Sequence, residues 1–404
     1  MNNNFILVLN CGSSSLKFSL INPENGATLL SGLAERLLSD QAIIKIKHNG
    51  EKEQHLILAP YDHQSAVLCL VEHLKRLHLI DCISAIGHRV VHGGESYCQP
   101  TLINNDVKAA IEKLARLAPL HNPANLTGIL AAEAAFPNLK QVAIFDTAFH
   151  QTMPEKAYIY GIPYELYKQH GIRRYGFHGT SHYFVAQQAA NILNKPLAQC
   201  SFISAHLGNG CSIAAIKDGK SVDTSLGMTP LEGVMMGTRS GDIDPGIIFH
   251  LINQLNYTAQ DVDNMLNKQS GLLGVSGISN DCRTIETAYI EDHNVQAALA
   301  LDVFCYRIAK AIASFTASLT SLDGIIFTGG IGENSDIIRE KILAQLSLLN
   351  FKVDDEANLA MRFGKSGLIS SEGSRSAWVI ATNEEWVIAE QTFQLLNQST
   401  EQES

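Results

Sequence analysis

At 404 residues the chain is too long for one compact core, so two domains are expected. Apolar residues make up 46% and charged residues 17%, an ordinary soluble composition with ample material for cores. The formal net charge of −10 argues against a nucleic-acid surface, and no apolar stretch reaches the length of a membrane helix.

In chain order, Phe5 to Leu9 (FILVL) is a short apolar strand, and its lack of a basic flank argues against a secretory signal. A polar turn, NCGSSS, leads into a second strand, Leu16 to Ile21. A related hairpin returns two hundred residues later, where Phe202 to His206 runs into LGNGCS and then Ile213 to Ile216. Two hairpins of one design suggest two related halves. Between them strand and helix signals alternate, which points to α/β architecture. ISAIGHRVV (83–91) is a strand ending at Gly93–Gly94, and a helical pattern covers Val107 to Leu117. Asn122 and Pro123 read as N-cap and first position of a helix through Ala135. QVAIF (141–145) is a buried strand ending at Asp146, and Thr180 or Ser181 reads as the cap of a helix to Leu193. A long helix spans Val295 to Ser321, GIIFTGG (324–330) is a further buried strand, and a final helix follows TNEE. The domain boundary is placed at residue 150: 1–149 plus 384–404 form one domain and 150–383 the other.

Eight cysteines lie scattered without a CxxC pair, several in apolar runs, which suits reduced thiols of a cytoplasmic protein and neither a disulfide framework nor a cysteine-rich zinc site. Fifteen histidines form no HExxH-type helical pair, and His48, His55, His63, His73 and His78 read as surface or polar-face residues. There is no P-loop and no complete GxGxxG opening a helix, so any nucleotide site must be built from turns, whose successive N–H groups make anion-binding concavities. NCGSSSLK with Asn10 and Lys17, HLGNG (206–210) and GGIGEN (329–334) are the three candidates. Asp146, at a strand end, suits a Mg²⁺ partner, a polar orienter or a turn cap. Arg89 inside an apolar strand needs a partner for its fork, which a structural acid or a substrate carboxylate supplies. RRYGFHGTSH (173–182) and GVMMGTRSGDIDPG (233–246) add glycine-rich turns carrying Arg239 and His178. Turn-type anion sites, interior arginines and carboxylates at strand ends together favour a phosphate enzyme.

The segments NCGSSSLKF, GHRVVHGG, FDTAFH, RRYGFHGTSH, HLGNGCS, MTPLEGVMMGTRSGDIDP, GGIGEN and TNEE resemble, in order and over nearly the whole chain, the motif set of acetate kinases. The resemblance implies two related RNase H-like domains of the actin, sugar-kinase and Hsp70 type, with ATP in the cleft between them. It implies Mg-ATP-dependent, in-line transfer of the γ-phosphoryl group to acetate, giving acetyl phosphate and ADP, and a homodimer. Carried over by position, Asn10 and Glu384 hold Mg²⁺ (or Mn²⁺), and Arg89 binds the carboxylate. Val91, Leu120, Phe177 and Pro230 take the methyl group. Asp146, His178, Arg239 and His121 are the catalytic set. Lys17, His206, Leu207, Gly208, Asn209, Gly210, Asp281, Cys282, Arg283, Gly330, Ile331, Gly332, Glu333 and Asn334 contact ATP.

A carboxylate acceptor, with a pKa of about 4.3, is already ionised at neutral pH and needs no general base. Asp146 is therefore expected to act through Mg²⁺ or by orienting Arg89. Propionate kinase is the nearest alternative, because one methylene separates the substrates by only about 1–3 kcal/mol. An actin-like ATPase, phosphatase or binding module is more remote, since it leaves Arg89, His178 and Arg239 without a role.

Overall fold

A strand such as FILVL, apolar at every position, is stable only when both of its faces are covered. The computed structural model, which describes residues 4–119 and 121–403, meets that demand in the first of two units. Unit 1 comprises Met1–Ala148 and Asn383–Ser404, and unit 2 comprises Phe149–Thr382.

In unit 1, β1 (Phe5–Gly12), β2 (Ser15–Ile21), β3 (Thr28–Glu35), β4 (Ile43–His48), β5 (Glu51–Leu56), β6 (Ile83–Val90), β7 (Thr101–Leu102) and β8 (Gln141–Phe145) form one sheet. Its order is β5-β4-β3-β2-β1-β6-β8-β7. β1 runs antiparallel to β2 and parallel to β6, and β6 runs parallel to β8. Leu7, Leu9 and Cys11 of β1 share a core with Ala66, Leu70 and Leu74 of the helix His63–Arg76 and with Ala131 and Ala132 of the helix Asn122–Ala135. Ile6 and Val8 instead meet Ile388 and Ala389 of the helix Glu384–Glu403. The chain thus returns after unit 2 to cover the second face of β1.

Unit 2 holds β9 (Phe202–Leu207), β10 (Cys211–Lys217), β11 (Lys220–Thr224), β12 (Gly324–Thr328), β13 (Gly367–Leu368) and β14 (Ser376–Val379). Their order is β11-β10-β9-β12-β14-β13. β10 is antiparallel to both β9 and β11, whereas β9, β12 and β14 run parallel. The run β11-β10-β9-β12-β14 repeats β3-β2-β1-β6-β8 strand for strand, and in each case the hairpin read from sequence opens it. The helices Gly179–Ile192 and Val295–Phe315 pack on this sheet.

Several local expectations are corrected. Asn122 is not the cap of its helix but its first residue, after His121. Its amide is used elsewhere, accepting from His92 N at 3.1 Å and donating to His92 O at 3.1 Å. The helix 179–192 is capped by His178 in the left-handed region, not by Thr180 or Ser181, because the Ser181 hydroxyl is engaged with His206. The long helix stops at Phe315 and closes in a 3₁₀ turn over Thr316–Ser318. His63 and His73, read as surface residues, are buried. His63 Nε2 lies 2.7 Å from Gly12 O and fixes the first turn.

Two further imidazoles are buried and held neutral. Burial pulls His88 down to about 4 despite its 2.6 Å contact with Gln141, and does the same to His150 despite Phe177 O. Between pH 6.5 and 4 the unfolded chain binds protons that the folded chain refuses, so stability is full above that window and falls as pH drops through it. Each group then costs about 2 kcal/mol at pH 5. Thermal melts should fall by several degrees from pH 7 to pH 5, and a flat profile would show that these imidazoles are not held neutral.

Candidate functional site

In unit 1 the polar groups gather where parallel strands end, the usual location of function in α/β sheets. Asn10 lies near the end of β1, Arg89 lies near the end of β6, and Asp146 follows β8. Arg89 donates from Nε to Asp146 Oδ1 at 3.1 Å and from Nη2 to Oδ2 at 2.6 Å. The Glu384 carboxylate lies 3.7 Å from the same Nε. Burial works against the Arg89 charge, but Asp146 and Glu384 outweigh it and hold the guanidinium above its ordinary range. Burial likewise pushes Asp146 up, while Arg89 draws it down. The fork leaves the Nη1 edge of Arg89 for a second anion.

The chain beyond β6 is pinned from the helix Asn122–Ala135. Asn125 accepts from Val91 N at 3.0 Å and donates to Cys11 O at 2.8 Å, tying the end of β1 to that of β6. Val91 is buried, and Thr147 accepts from Gly93 N. His121, half-buried, lies close enough to Asp146 to favour its charged form. Leu120 lies outside the described residues. Lys17 sits opposite Asn10 on β2 and pairs with Glu385.

In unit 2, His178 occupies the left-handed region at φ 56°, a conformation that costs a non-glycine residue about 1 kcal/mol or more unless neighbours enforce it. Here they do. His150 Nε2 lies 3.0 Å from Phe177 O, and Ser212 Oγ lies 2.9 Å from His178 Nδ1. The same hydroxyl lies 2.7 Å from His182 Nε2, whose Nδ1 meets Ser204. A serine hydroxyl has one proton, so it donates to at most one of the two imidazoles, and at least one of them must present an N–H to it. Burial holds His182 well below its ordinary range, so it serves as a neutral strut. His206 stacks on His178 at 4.4 Å between ring centroids.

Arg239 is half-buried and drawn below its ordinary range by burial, and its Nη1 donates to Pro230 O. A Cβ on Gly210 would lie 2.5 Å from Arg239 Nη2 and 3.4 Å from His178 Cε1, so the glycine admits both side chains to one place. A Cβ on Gly237 would meet Asn209 Oδ1 at 2.0 Å. Arg173 and Arg174, by contrast, are structural: Arg173 covers the Tyr158 ring at 3.6 Å and Arg174 pairs with Glu232 at 2.6 Å.

A cavity of about 530 Å³ opens beside these residues, within unit 2. Gly208, Asn209, Asp281, Cys282, Arg283, Gly330, Ile331 and Asn334, all expected at ATP, line it. Asp281 caps the helix Cys282–Ile290 and pairs with Arg283 at 2.6 Å. His206, Leu207, Gly210, Gly332 and Glu333 are not on its wall but shape the two turns behind it. Glu333 accepts from Gly329 N at 2.9 Å and from Thr382 N at 3.1 Å, closing its own loop. Asn280, Glu286, Ser335, Arg362 and Phe363 also line the cavity and were not found from sequence. Arg362 and Phe363 lie in no motif, whereas Asn280 directly precedes one. Ser212 lay inside HLGNGCS, and its strand position beside a histidine-rich helix was the available signal.

Residues 5–390 match the model of the acetokinase family. Curated acetate kinases of Shewanella putrefaciens and Shewanella baltica are 57% identical over 399 residues, covering 98% of this chain and all of theirs. Among solved structures, a Porphyromonas gingivalis acetate kinase is similar at TM-score 0.92 and 44% identity, covering 97% of this chain and all of the other. A propionate kinase from Francisella tularensis is similar at TM-score 0.91 and 46% identity, covering 96% and 98%.

Ser212→Ala removes both imidazole contacts and leaves the buried His182 Nε2 without its partner, a loss of about 1–3 kcal/mol. The urea midpoint should fall accordingly, and a variant as stable as the native protein would show that this hydroxyl does not hold the relay.

Proposed function

This chain belongs to the acetokinase family, and we propose that it phosphorylates acetate from ATP, giving acetyl phosphate and ADP. Members of the family are phosphotransferases with a carboxyl acceptor. The observation that carries the reading is the Arg89 fork. A half-buried guanidinium oriented by Asp146, with one edge to spare, suits a small carboxylate. In this reading Arg89 binds acetate through Nη1, and Asp146 is the orienter of Arg89. The methyl-binding role is assigned to Val91, Leu120, Phe177 and Pro230. The turns carrying Gly208 to Gly210, Asp281 to Arg283 and Gly330 to Asn334 bind ATP, and the 530 Å³ cavity that they line in unit 2 supports this. His206, Leu207, Gly332 and Glu333 hold those turns in shape, and Lys17 supplies charge beside Asn10. Arg239 and His178, which Gly210 lets approach, stabilise the charge on the transferring phosphoryl oxygens with Asn209, and His121 is assigned to the same catalytic set.

Asn10, Asp146 and Glu384 are hard oxygen donors, and two of their carboxylates crowd one guanidinium, so the set fits Mg²⁺ or Mn²⁺. Held by Asn10 and Glu384, directly or through water, the ion would neutralise charge on the ATP phosphates. Propionate is the second acceptor to weigh, given the similarity to a propionate kinase.

Trapping acyl phosphate as hydroxamate from Mg-ATP with acetate, propionate and butyrate tests the proposal. Turnover should be highest with acetate, and Asp146→Asn should raise the KM for acetate well above any change for ATP while lowering kcat/KM by about 100-fold or more. ATP hydrolysis without acyl phosphate would overturn the reading.

No helix among the described residues is long and apolar enough to cross a membrane. The eight cysteines are free and six are buried, which supports a cytoplasmic setting. A homodimer is proposed as well. The helix Pro245–Leu255 buries none of its residues in its own chain, and Ile247, Phe249 and Leu255 are exposed along it. Sedimentation should give a dimer that Phe249→Glu weakens, and a native monomer at micromolar concentration would overturn the assignment.

A further inference from the structure

We propose that unit 1 carries a site for a transition-metal dication at Glu53, His55 and His73. It is separate from the catalytic groups, and its ligands come from β5 and from the last turn of the helix His63–Arg76. Glu53 Oε2 lies 3.0 Å from His55 Nε2 and 3.3 Å from His73 Nε2, and the two nitrogens are 3.0 Å apart. The three atoms therefore form a nearly equilateral triangle.

No protonation state of neutral imidazoles satisfies all three edges. A carboxylate oxygen only accepts, and a neutral imidazole carries one N–H. If both Nε2 atoms are protonated, both donate to Glu53, and two N–H groups then oppose each other across 3.0 Å. If only one is protonated, the lone pair of the other faces Glu53 Oε2. A cation over the triangle turns every edge into a pair of ligand bonds. With metal–ligand distances of about 2.0–2.2 Å, two ligands of a tetrahedral ion stand about 3.3–3.6 Å apart, so the triangle need open by only a few tenths of an ångström. Two imidazoles and one carboxylate suit Zn²⁺, Co²⁺ or Ni²⁺ and disfavour Mg²⁺. The fourth position faces solvent, since His55 and Glu53 are each more than a third exposed.

Arg76 is the competitor. Its Nη2 pairs with the same Glu53 oxygen, and together Arg76, His55 and His73 hold that carboxyl down at about 2. The Arg76 side chain is 53% exposed and free to turn to the other oxygen or into water. A bound ion would clip β5, the edge strand of the sheet, to the helix beside it. His73 is buried and anchored, so only the two exposed ligands need adjust.

Untagged, EDTA-treated full-length protein would be titrated with Co²⁺ and followed by visible absorption, then with Zn²⁺ by calorimetry. One equivalent with the intense band of tetrahedral Co²⁺ is expected, displaced by Zn²⁺. His55→Ala should weaken Zn²⁺ binding at least tenfold while keeping the native circular-dichroism spectrum. Arg76→Ala should tighten it, an outcome that general histidine binding would not give. Absence of a stoichiometric Co²⁺ band, or affinity unchanged in both variants, would overturn the site.

Discussion

A guanidinium placed near the end of an apolar strand must find a carboxylate, because burying the charge alone costs several kcal/mol. Much of unit 1 follows from that requirement at Arg89. Asp146 has to follow the neighbouring parallel strand directly, and the backbone holds it there: its N–H donates to Val90 O at 2.9 Å, prolonging the β6–β8 ladder past its last paired residues. Asn125 then joins Cys11 O to Val91 N, which fixes the ends of β1 and β6 relative to each other. Gly128, on the same helix, leaves room for Cys11, whose Sγ would lie 2.0 Å from any added Cβ. The apolar strand FILVL and the polar pair Arg89–Asp146 are thus two consequences of one arrangement: a parallel sheet covered on both faces, with its polar atoms confined to the strand ends.

Unit 2 repeats the strand order but solves its polar problem by other means. Around β9 and β10 it relies on hydroxyl–imidazole pairs: Ser212 lies between His178 and His182, His182 also meets Ser204, and Ser181 meets His206. Hydroxyl partners orient His178 without adding a fixed counter-charge. Arg239 and His178 are admitted by a missing atom at Gly210. The two units therefore share a strand order while differing in how their polar groups are paired.

The strands and the repeated hairpin were legible in sequence because continuous apolar runs and glycine turns are local signals. Boundaries failed where a side chain was committed to a distant partner. Asn122 looks like a cap by type, yet its amide serves His92, and Ser181 looks like a cap yet serves His206. Arg89 and Asp146 stand out in sequence because they lie at the ends of apolar strands within motifs, whereas Asp281 is named only through the family resemblance. Arg362 and Phe363 reach the cavity from a segment without a motif, and only folding brings them there. The three ligands Glu53, His55 and His73 were missed for the same reason. Helical ligand pairs show themselves by spacing, whereas this set alternates on a strand and is completed from a helix eighteen residues away.

The turns bear on how such a site tolerates change. In unit 2 the distances are set by atoms that are absent, at Gly210 beside Arg239 and at Gly237 beside Asn209. A methyl group there displaces a functional side chain without opening a cavity or breaking a ladder, so its effect falls on charge placement and not on folding. At Arg89 the reverse holds, because any loss from the fork leaves a buried charge uncompensated and both stability and binding suffer together. Phosphoryl transfer depends on positioning and charge neutralisation more than on covalent chemistry. Unit 2 can therefore be tuned through small displacements, while the strand ends of unit 1 stay fixed by the Arg89–Asp146 pair.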